Sequence, residues 1–317
     1  MLKSCRGRQN IAIPICIGMA ITALTILDAR AQVRAPDRGE TIEVLSYNVH
    51  GLAAMIAKDD PRDRTPSIGW LSRPYDIILY QEDFEYHREL TEQLDHHAEF
   101  VGNGAAVGDA RRVIVKIISW PFTLLIPNFS PPYGAGVSTF VSDKFIVSES
   151  NADHYRYCHG WFGANGDCWA AKGYLRVSVE TDSGARIDVY NTHLEAGPTD
   201  ESTEVRGKQL ESLAKAIKKT SGNQAVIVAG DFNLGYIRPG DRKVFKQFRK
   251  ELGLSDSGAG PETPFWKERD FILYRSGSET QLQVKESGEA IEFISSGRAL
   301  SDHPAIFARF EVLRESR

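Results

Sequence analysis

Ala225-Val226-Ile227-Val228-Ala229-Gly230-Asp231-Phe232-Asn233 runs from an unbroken apolar stretch straight into two polar side chains. A short apolar run rich in β-branched residues reads as a buried strand. In the extended segment after it, alternate residues project to one side, so Asp231 and Asn233 face together while Phe232 packs away. Taken alone, Gly-Asp-Phe-Asn serves equally well as a turn. The pattern recurs, however. IEVLSY (42–47) leads into Asn48, and DIILYQ (76–81) leads into Glu82. Asn191-Thr192-His193 and Ser301-Asp302-His303 are two further polar clusters. Strand ends that share one edge of a sheet gather residues distant in sequence, which is how α/β enzymes assemble their sites.

The flanking sequence fills in the elements. Leu210, Leu213, Ala214 and Ile217 predict a helix over 203–219. YLRVSVE (174–180), the turn Thr181-Asp182-Ser183-Gly184 and RIDVYNTHL (186–194) predict a hairpin. A second helix is expected near 241–251, then strands DFILYR (270–275), QLQVKE (281–286) and AIFARFEV (305–312). Towards the other end, 53–74 reads as a polar, proline-containing loop. Residues 84–97 read as a helix with Phe84, Leu90 and Leu94 on one side, and RVIVKII (112–118) and GVSTFVSDKFIV (136–147) as strands. Strands outnumber helices and several neighbours are joined by hairpins, so a two-sheet sandwich with outer helices fits better than an open parallel sheet. One domain over 41–314 is expected, because the candidate site residues come from both ends.

The first residues are of a different character. Lys3, Arg6 and Arg8 precede an apolar stretch from Ile11 to Leu27, followed by Ala29-Arg30-Ala31. That is the pattern of a secretory signal peptide over 1–31, cut near Ala31, with 32–40 as a polar linker containing Pro36 and Gly39. The alternative, an uncleaved anchor, is disfavoured by Pro14 and by a stretch shorter than the ~20 residues a spanning helix needs. The expected location is therefore secreted or periplasmic.

The whole chain carries a net charge of −4, and losing Lys3, Arg6, Arg8 and Arg30 against Asp28 alone makes the remainder more acidic. Such an exterior argues against a tight sequence-independent grip on DNA, although a locally basic groove stays compatible with it. Cys158 and Cys168 are expected to form a disulfide in an oxidising compartment. A zinc site would need two more ligands at metal spacing, and none is present.

Phosphoryl transfer needs charge neutralised on the phosphate, an aligned water and a stabilised leaving group. Mg²⁺ suits oxygen donors and keeps several waters. Glu82, at the exit of an apolar run, is the best direct ligand, with Asn48 and Asp302 as close partners. His303 offers a general base, and Asp270, opening DFILYR, is the candidate that would orient it. His87, His96, His97 and His154 sit among polar residues and are expected to face solvent, while His50 and His159 stay undecided.

Together these residues resemble the endonuclease/exonuclease/phosphatase superfamily, whose members include pancreatic-type deoxyribonucleases, apurinic endonucleases, inositol polyphosphate phosphatases and neutral sphingomyelinases. The resemblance runs from Tyr47-Asn48 to Ser301-Asp302-His303. It implies a four-layer α/β/β/α sandwich of two mixed, mainly antiparallel sheets flanked by helices, and Mg²⁺-dependent phosphoester hydrolysis, with Mn²⁺ or another divalent ion as an alternative. By motif, Glu82, Asn48 and Asp302 fall on metal-site positions, and His193 on a phosphate-contacting histidine. Asp231 and Asn233 fall on the pair that positions phosphate and nucleophile, and Asp270 and His303 on the Asp–His dyad. Within the family the base has also been assigned to the position of Asp231. Arg206 and Gln209 match a recurring family helix and are read as structural.

GDCWAAKG (166–173) is similar to a segment of neutral and bacterial sphingomyelinases, with Asp167 and Lys172 at that family's spacing. Lys172 would then meet a substrate phosphate as a point charge. Trp161, Phe162, Trp169 and 129–133 would offer transient contact with a membrane surface, against the alternative that they pack long loops. The expected substrate is a phosphoester, phospholipid before nucleic acid, acted on by a monomer. A deoxyribonuclease-like endonuclease and a non-catalytic binding protein on the same fold are the alternatives.

Overall fold

Strand β1 (Glu40–Asn48) alternates cleanly: Ile42 and Val44 enter one apolar cluster, Leu45 and Tyr47 another. A strand buried on both faces is the centre of a layered molecule. The computed structural model describes residues 39–52, 54–57, 61–101, 135–160, 167–170, 172–258, 270–295 and 297–314. In chain order β1 is followed by α1 (Ala54–Ala57), α2 (Pro61–Ser72), β2 (Ile77–Gln81), α3 (His87–Thr91), β3 (Ala98–Val101), β4 (Ser138–Val141) and β5 (Ile146–His154). A 3₁₀ turn at Asp167–Trp169 leads to β6 (Gly173–Glu180), β7 (Arg186–His193), α4 (Asp200–Ser221), β8 (Ala225–Asp231), α5 (Pro239–Leu252) and β9 (Ser255–Asp256). The remainder is β10 (Asp270–Arg275), β11 (Thr280–Glu289), the small pair β12 (Ile294–Ser295) and β13 (Arg298–Ala299), and β14 (Ile306–Arg314).

Two six-stranded sheets result, ordered β11-β14-β1-β2-β4-β3 and β5-β6-β7-β8-β10-β9. Both are mixed and mainly antiparallel; β1–β2 and β7–β8 are the parallel pairs. Ile42, Val44, Ile77 and Leu79 of the first sheet meet Val177, Val189, Ile227 and Ile272 of the second in the central core. The first sheet's outer face, through Leu45, Ile78 and Tyr80, packs on Ile68 of α2 and Leu90 of α3. The second sheet's outer face, through Val226, Val228 and Phe271, packs on Leu210, Leu213 and Ile217 of α4 and on Phe245 and Phe248 of α5. These are the four layers of an α/β/β/α sandwich.

Helix ends follow local chemistry. The hydroxyl of Thr199 accepts from the Ser202 amide to cap α4, whose first turn carries Asp200 and Glu201 and whose last carries Lys218 and Lys219. Helix α5 opens on Pro239 and closes on Gly253 at φ 66°.

Three local expectations are corrected. Residues 53–74 contain a twelve-residue helix, α2, because its Thr65, Ile68 and Ser72 side is buried against the first sheet despite Pro66 inside it. The helix expected over 84–97 is only His87–Thr91: a turn from Glu82 to Phe84 precedes it, and Leu94 closes back on Thr91. GVSTFVSDKFIV is two strands, since the chain turns at Ser142–Phe145 and passes from the first sheet to the second. The hairpin at 174–194 forms as read, with the Gly184 amide donating to Thr181 O across the turn. The strand expected at 112–118 and the signal peptide over 1–31 lie outside the described residues. Among the described residues, no helix is long and apolar enough to cross a membrane.

Candidate active site

The side-chain parity that builds the central core also builds the site. Along β8, Ala225, Ile227 and Ala229 point between the sheets, and Asp231 continues that side. The same holds for Ile187, Val189 and His193 on β7, for Ile42, Val44 and Asn48 on β1, and for Ile272 and Asp270 on β10. Register aligns the ends: His193 lies opposite Asp231 across the parallel pair, and Asp270 opposite Asp231 across the antiparallel one. Directly beneath, Gln81 Nε2 donates to Asn191 Oδ1 (2.8 Å), and Asn191 Nδ2 donates to the Tyr80 and Ser138 carbonyls. This buried amide bridge ties the two sheets together under the rim that carries the site.

The turns at that rim are strained. The three non-glycine residues with positive φ among the described residues are His50 (47°), Glu82 (55°) and Asn233 (51°), and all three belong to the site. Such conformations cost on the order of 1–3 kcal/mol each and persist where surrounding bonds fix them. Gly51 N donates to Glu82 O (3.0 Å), and a Cβ at Gly51 would stand 2.7 Å from that oxygen, so only glycine allows the approach. Arg64 donates to the Val49, His50 and Leu300 carbonyls, and Ser301 Oγ to Asn48 O, locking the loop after β1 to the loop before β14.

One half of the site is an oxygen-rich pocket. Asn48 is fully buried, donates from Nδ2 to Asp231 Oδ2 (3.1 Å) and receives the His50 amide on Oδ1 (3.0 Å). The His50 imidazole stands between two carboxylates, Nδ1 lying 3.4 Å from Glu82 Oε2 and 3.3 Å from Asp302 Oδ1. Its pKa is raised, first by the hydrogen bond with Glu82 and further by Asp302. Burial opposes ionisation of Glu82, but His50, His193 and Lys172 outweigh it and hold the carboxyl at about 2. Glu82 Oε2 is buried without a well-formed hydrogen bond. Two carboxylates, one of them carrying that unsatisfied buried oxygen, and the amide oxygen of Asn48 fit a hard divalent cation.

The other half is a chain of charges. Lys172, itself buried, lies 2.5 Å from His193 Nε2 and 3.4 Å from Asp167 Oδ1. His193 Nε2 lies 3.4 Å from Asp231 Oδ2, and His303 Nε2 lies 3.7 Å from the same oxygen. His303 Nδ1 is 2.8 Å from Asp270 Oδ2. Burial disfavours the His303 cation, yet the Asp270 and Asp231 carboxylates raise its pKa to about 10. Burial would raise the pKa of Asp231, but His303, His193 and Lys172 depress it well below the usual carboxylate range. Asn233 N donates to Asp231 Oδ1 (2.8 Å) and its amide to Leu194 O, so Asp231 is oriented from both sides. Asp231, Asp270 and His303 also come close enough to hold a cation between them, but there the Asp270–His303 ion pair already balances charge.

The structure thus brings together Asn48, Glu82, Lys172, His193, Asp231, Asn233, Asp270, Asp302 and His303. Of the loop aromatics, Trp161, Phe162 and 129–133 lie outside the described residues. His50 enters the site from the undecided group; its signal was its place in Tyr-Asn-Val-His-Gly, directly after a strand end. His96 is a correction: its side chain is buried and Nε2 bonds Tyr75 O at 2.7 Å. His87 is likewise engaged, between Asp83 and Glu99.

Arg206 and Gln209 of α4 have a positioning role. Arg206 donates to the Glu195 and Gly197 carbonyls and pairs with buried Asp241. Gln209 accepts from the Glu195 amide and donates to Tyr157 O. They anchor the turn after His193 and the loop closed by the Cys158–Cys168 disulfide, whose other end carries Asp167.

A family model described as endonuclease/exonuclease/phosphatase family matches residues 45–303, spanning every site residue from Asn48 to His303. The chain belongs to the endonuclease/exonuclease/phosphatase family. A protein named sphingomyelinase from Mycobacterium tuberculosis is 30% identical over 293 residues, covering 86% of this chain. The Mycobacterium bovis sphingomyelinase matches to the same extent, and the chain spans about half (53%) of the length of these relatives. Beta toxin from Staphylococcus aureus with bound magnesium ions superposes with a TM-score of 0.59 at 15% identity, covering 85% of this chain and 99% of that one. Sphingomyelinase C from Streptomyces griseocarneus gives the same values. These structural likenesses establish the family's sandwich for this chain.

Proposed function

We propose that the chain is an exported, Mg²⁺-dependent phosphodiesterase that cleaves the headgroup phosphoester of a sphingomyelin-like phospholipid. The observation that carries the reading is the clustering of Lys172, His193, Asp231 and His303 beside Glu82, an ammonium, two imidazoles and two carboxylates with no other structural use at one rim. The choice of lipid is supported by Lys172 and Asp167 in the GDCWAAKG segment and by the name of the mycobacterial relatives. Glu82 and Asp302 would hold the divalent ion with Asn48 close by, and the ion would supply charge neutralisation on the phosphate.

The chain's own residues then divide the work. Lys172 and His193 meet the non-bridging phosphate oxygens. Asn233, through its bond to Asp231, fixes the carboxylate that faces the attacking water. The sequence alone favours His303 as base with Asp231 as its alternative; the charge states favour the reverse assignment. Asp231 is ionised and takes the proton from water as the new P–O bond forms. His303, held protonated by Asp270, gives its Nε2 proton to the leaving alcohol oxygen as the old P–O bond breaks.

The test is a panel with Mg²⁺ and with chelator, setting sphingomyelin, phosphatidylcholine, DNA and a chromogenic phosphodiester side by side. Phosphocholine release from sphingomyelin that chelator abolishes is the expected result. DNA cleavage without phosphocholine release would replace the lipid reading by an endonuclease, and inactivity on the whole panel would leave a binding protein on this fold.

A further inference from the structure

We propose a second anion site, away from the catalytic rim, that takes a ligand bearing two or more phosphate groups in a cleft beside α5. The cleft has a volume of about 520 Å³ and is bounded by one side of α5 and by the Gly253–Asp256 segment entering β9. Arg242, Lys246, Arg249 and Lys250 project along its length, and Phe245 and Leu254 form its apolar floor. Against four cations stands one acid, Asp256, 4.0 Å from Arg249 Nη1. Lys246 and Lys250 are exposed and have no ion-pair partner among the described residues. In a chain of net charge −4, such a concentration on one helix face runs against the background.

Favourable alignment with the helix dipole accounts for Arg249 and Lys250 in the last turn. It does not account for Arg242 and Lys246, which stand earlier on the same side at helical spacing. Arg249 is also pre-positioned, its guanidinium lying over the Phe245 ring at 5.5 Å and its Nε reaching Leu254 O. A fixed guanidinium flanked by exposed ammonium groups over an apolar floor is the chemistry that takes phosphate oxygens, and a volume of this size admits a small molecule or a lipid headgroup. The proposal is independent of the reading of the catalytic site.

The experiment is calorimetric titration of the full chain with inorganic pyrophosphate in chelator, in parallel with sedimentation on phosphatidylcholine vesicles with and without phosphatidylinositol bisphosphate. The variant is Lys246→Glu/Lys250→Glu, with Lys246→Gln/Lys250→Gln as a milder companion. Binding that weakens with salt, and by at least about tenfold in the reversal variant with a smaller loss in the Gln variant, is expected. An unchanged thermal unfolding curve shows that these variants fold. Response to pyrophosphate alone identifies a free phosphate ligand, and response to the doped vesicles alone a headgroup. Equal affinity in wild type and reversal variant, which is what capture at the catalytic rim would give, overturns the proposal, as does no binding of either probe.

Discussion

Replacing Asp270 by Asn removes one charge and little volume from the buried pair that raises His303. The Nδ1 to Oδ2 distance is 2.8 Å, and Asp270 is fully buried in side chain. Breaking a buried ion pair by neutralising one partner costs roughly 3–5 kcal/mol. Part of the pairing survives here, because Asp231 still faces Nε2, so a loss of about 3 kcal/mol is expected, or roughly 6–12 °C in unfolding temperature for a domain of this size. The sign of its pH dependence follows from the folded pKa of about 10 against an ordinary 6.5. A raised histidine contributes stability that is complete below about 6.5 and disappears as pH rises through about 10. The gap between wild type and Asp270→Asn, measured by thermal unfolding in chelator, should therefore be widest near pH 6.5 and shrink towards pH 10. In turnover with Mg²⁺ the variant should lose about 10²–10⁴ in kcat, since its imidazole no longer holds the proton it must donate. A stability gap that stays flat from pH 6.5 to 10 would refute the ion pair, and an unimpaired kcat would remove His303 from proton transfer.

Glu82→Gln keeps the shape of the oxygen pocket and removes a carboxylate held at about 2, so Mg²⁺ should saturate activity only at a concentration raised at least about tenfold, read from activity against free Mg²⁺. Cys158→Ser/Cys168→Ser opens a loop whose ends are 10 residues apart, which should lower stability by about 3 kcal/mol and reduce turnover through Asp167 and Lys172; equal melting of both proteins would show the bridge to be idle. Gly230→Ala should fail to fold or lose all activity, because φ is +139° and the new Cβ would stand 1.9 Å from Thr192 O; a soluble, active variant would contradict the register of β7 and β8. Lys172→Met should lower kcat on any phosphodiester by about 10²-fold while leaving the circular dichroism spectrum unchanged, as expected for a point charge at the phosphate.

Much of this was legible in the order of residues. Apolar runs ending in Asn48 and Asp231 announce strands that deliver polar groups at one edge, because a two-residue period keeps a strand's core side and its terminal side chain in line. Glu82 has the parity of the outer-face Ile78 and Tyr80 and itself stands in a turn at φ 55°. The long helix α4 showed itself through Leu210, Leu213, Ala214 and Ile217, whose spacing needs no partner to be recognised. The polar cluster Ser301-Asp302-His303 and the strand opening at Asp270 offered the dyad, and the family motif then supplied Lys172, which no local pattern singles out.

Other features exist only in the folded molecule. Pro66 hides α2 from any local reading, since the helix is held by packing on the first sheet, and the strand beginning at Gly136 divides because its halves serve different sheets. The charge states of His303 and Asp231 also belong to this level. They depend on groups tens of residues apart being pressed together where water cannot screen them, and strand register, not sequence spacing, sets those distances. The linear chain decides which side chains stand at the strand ends; the pairing of two sheets decides which proton each of them holds.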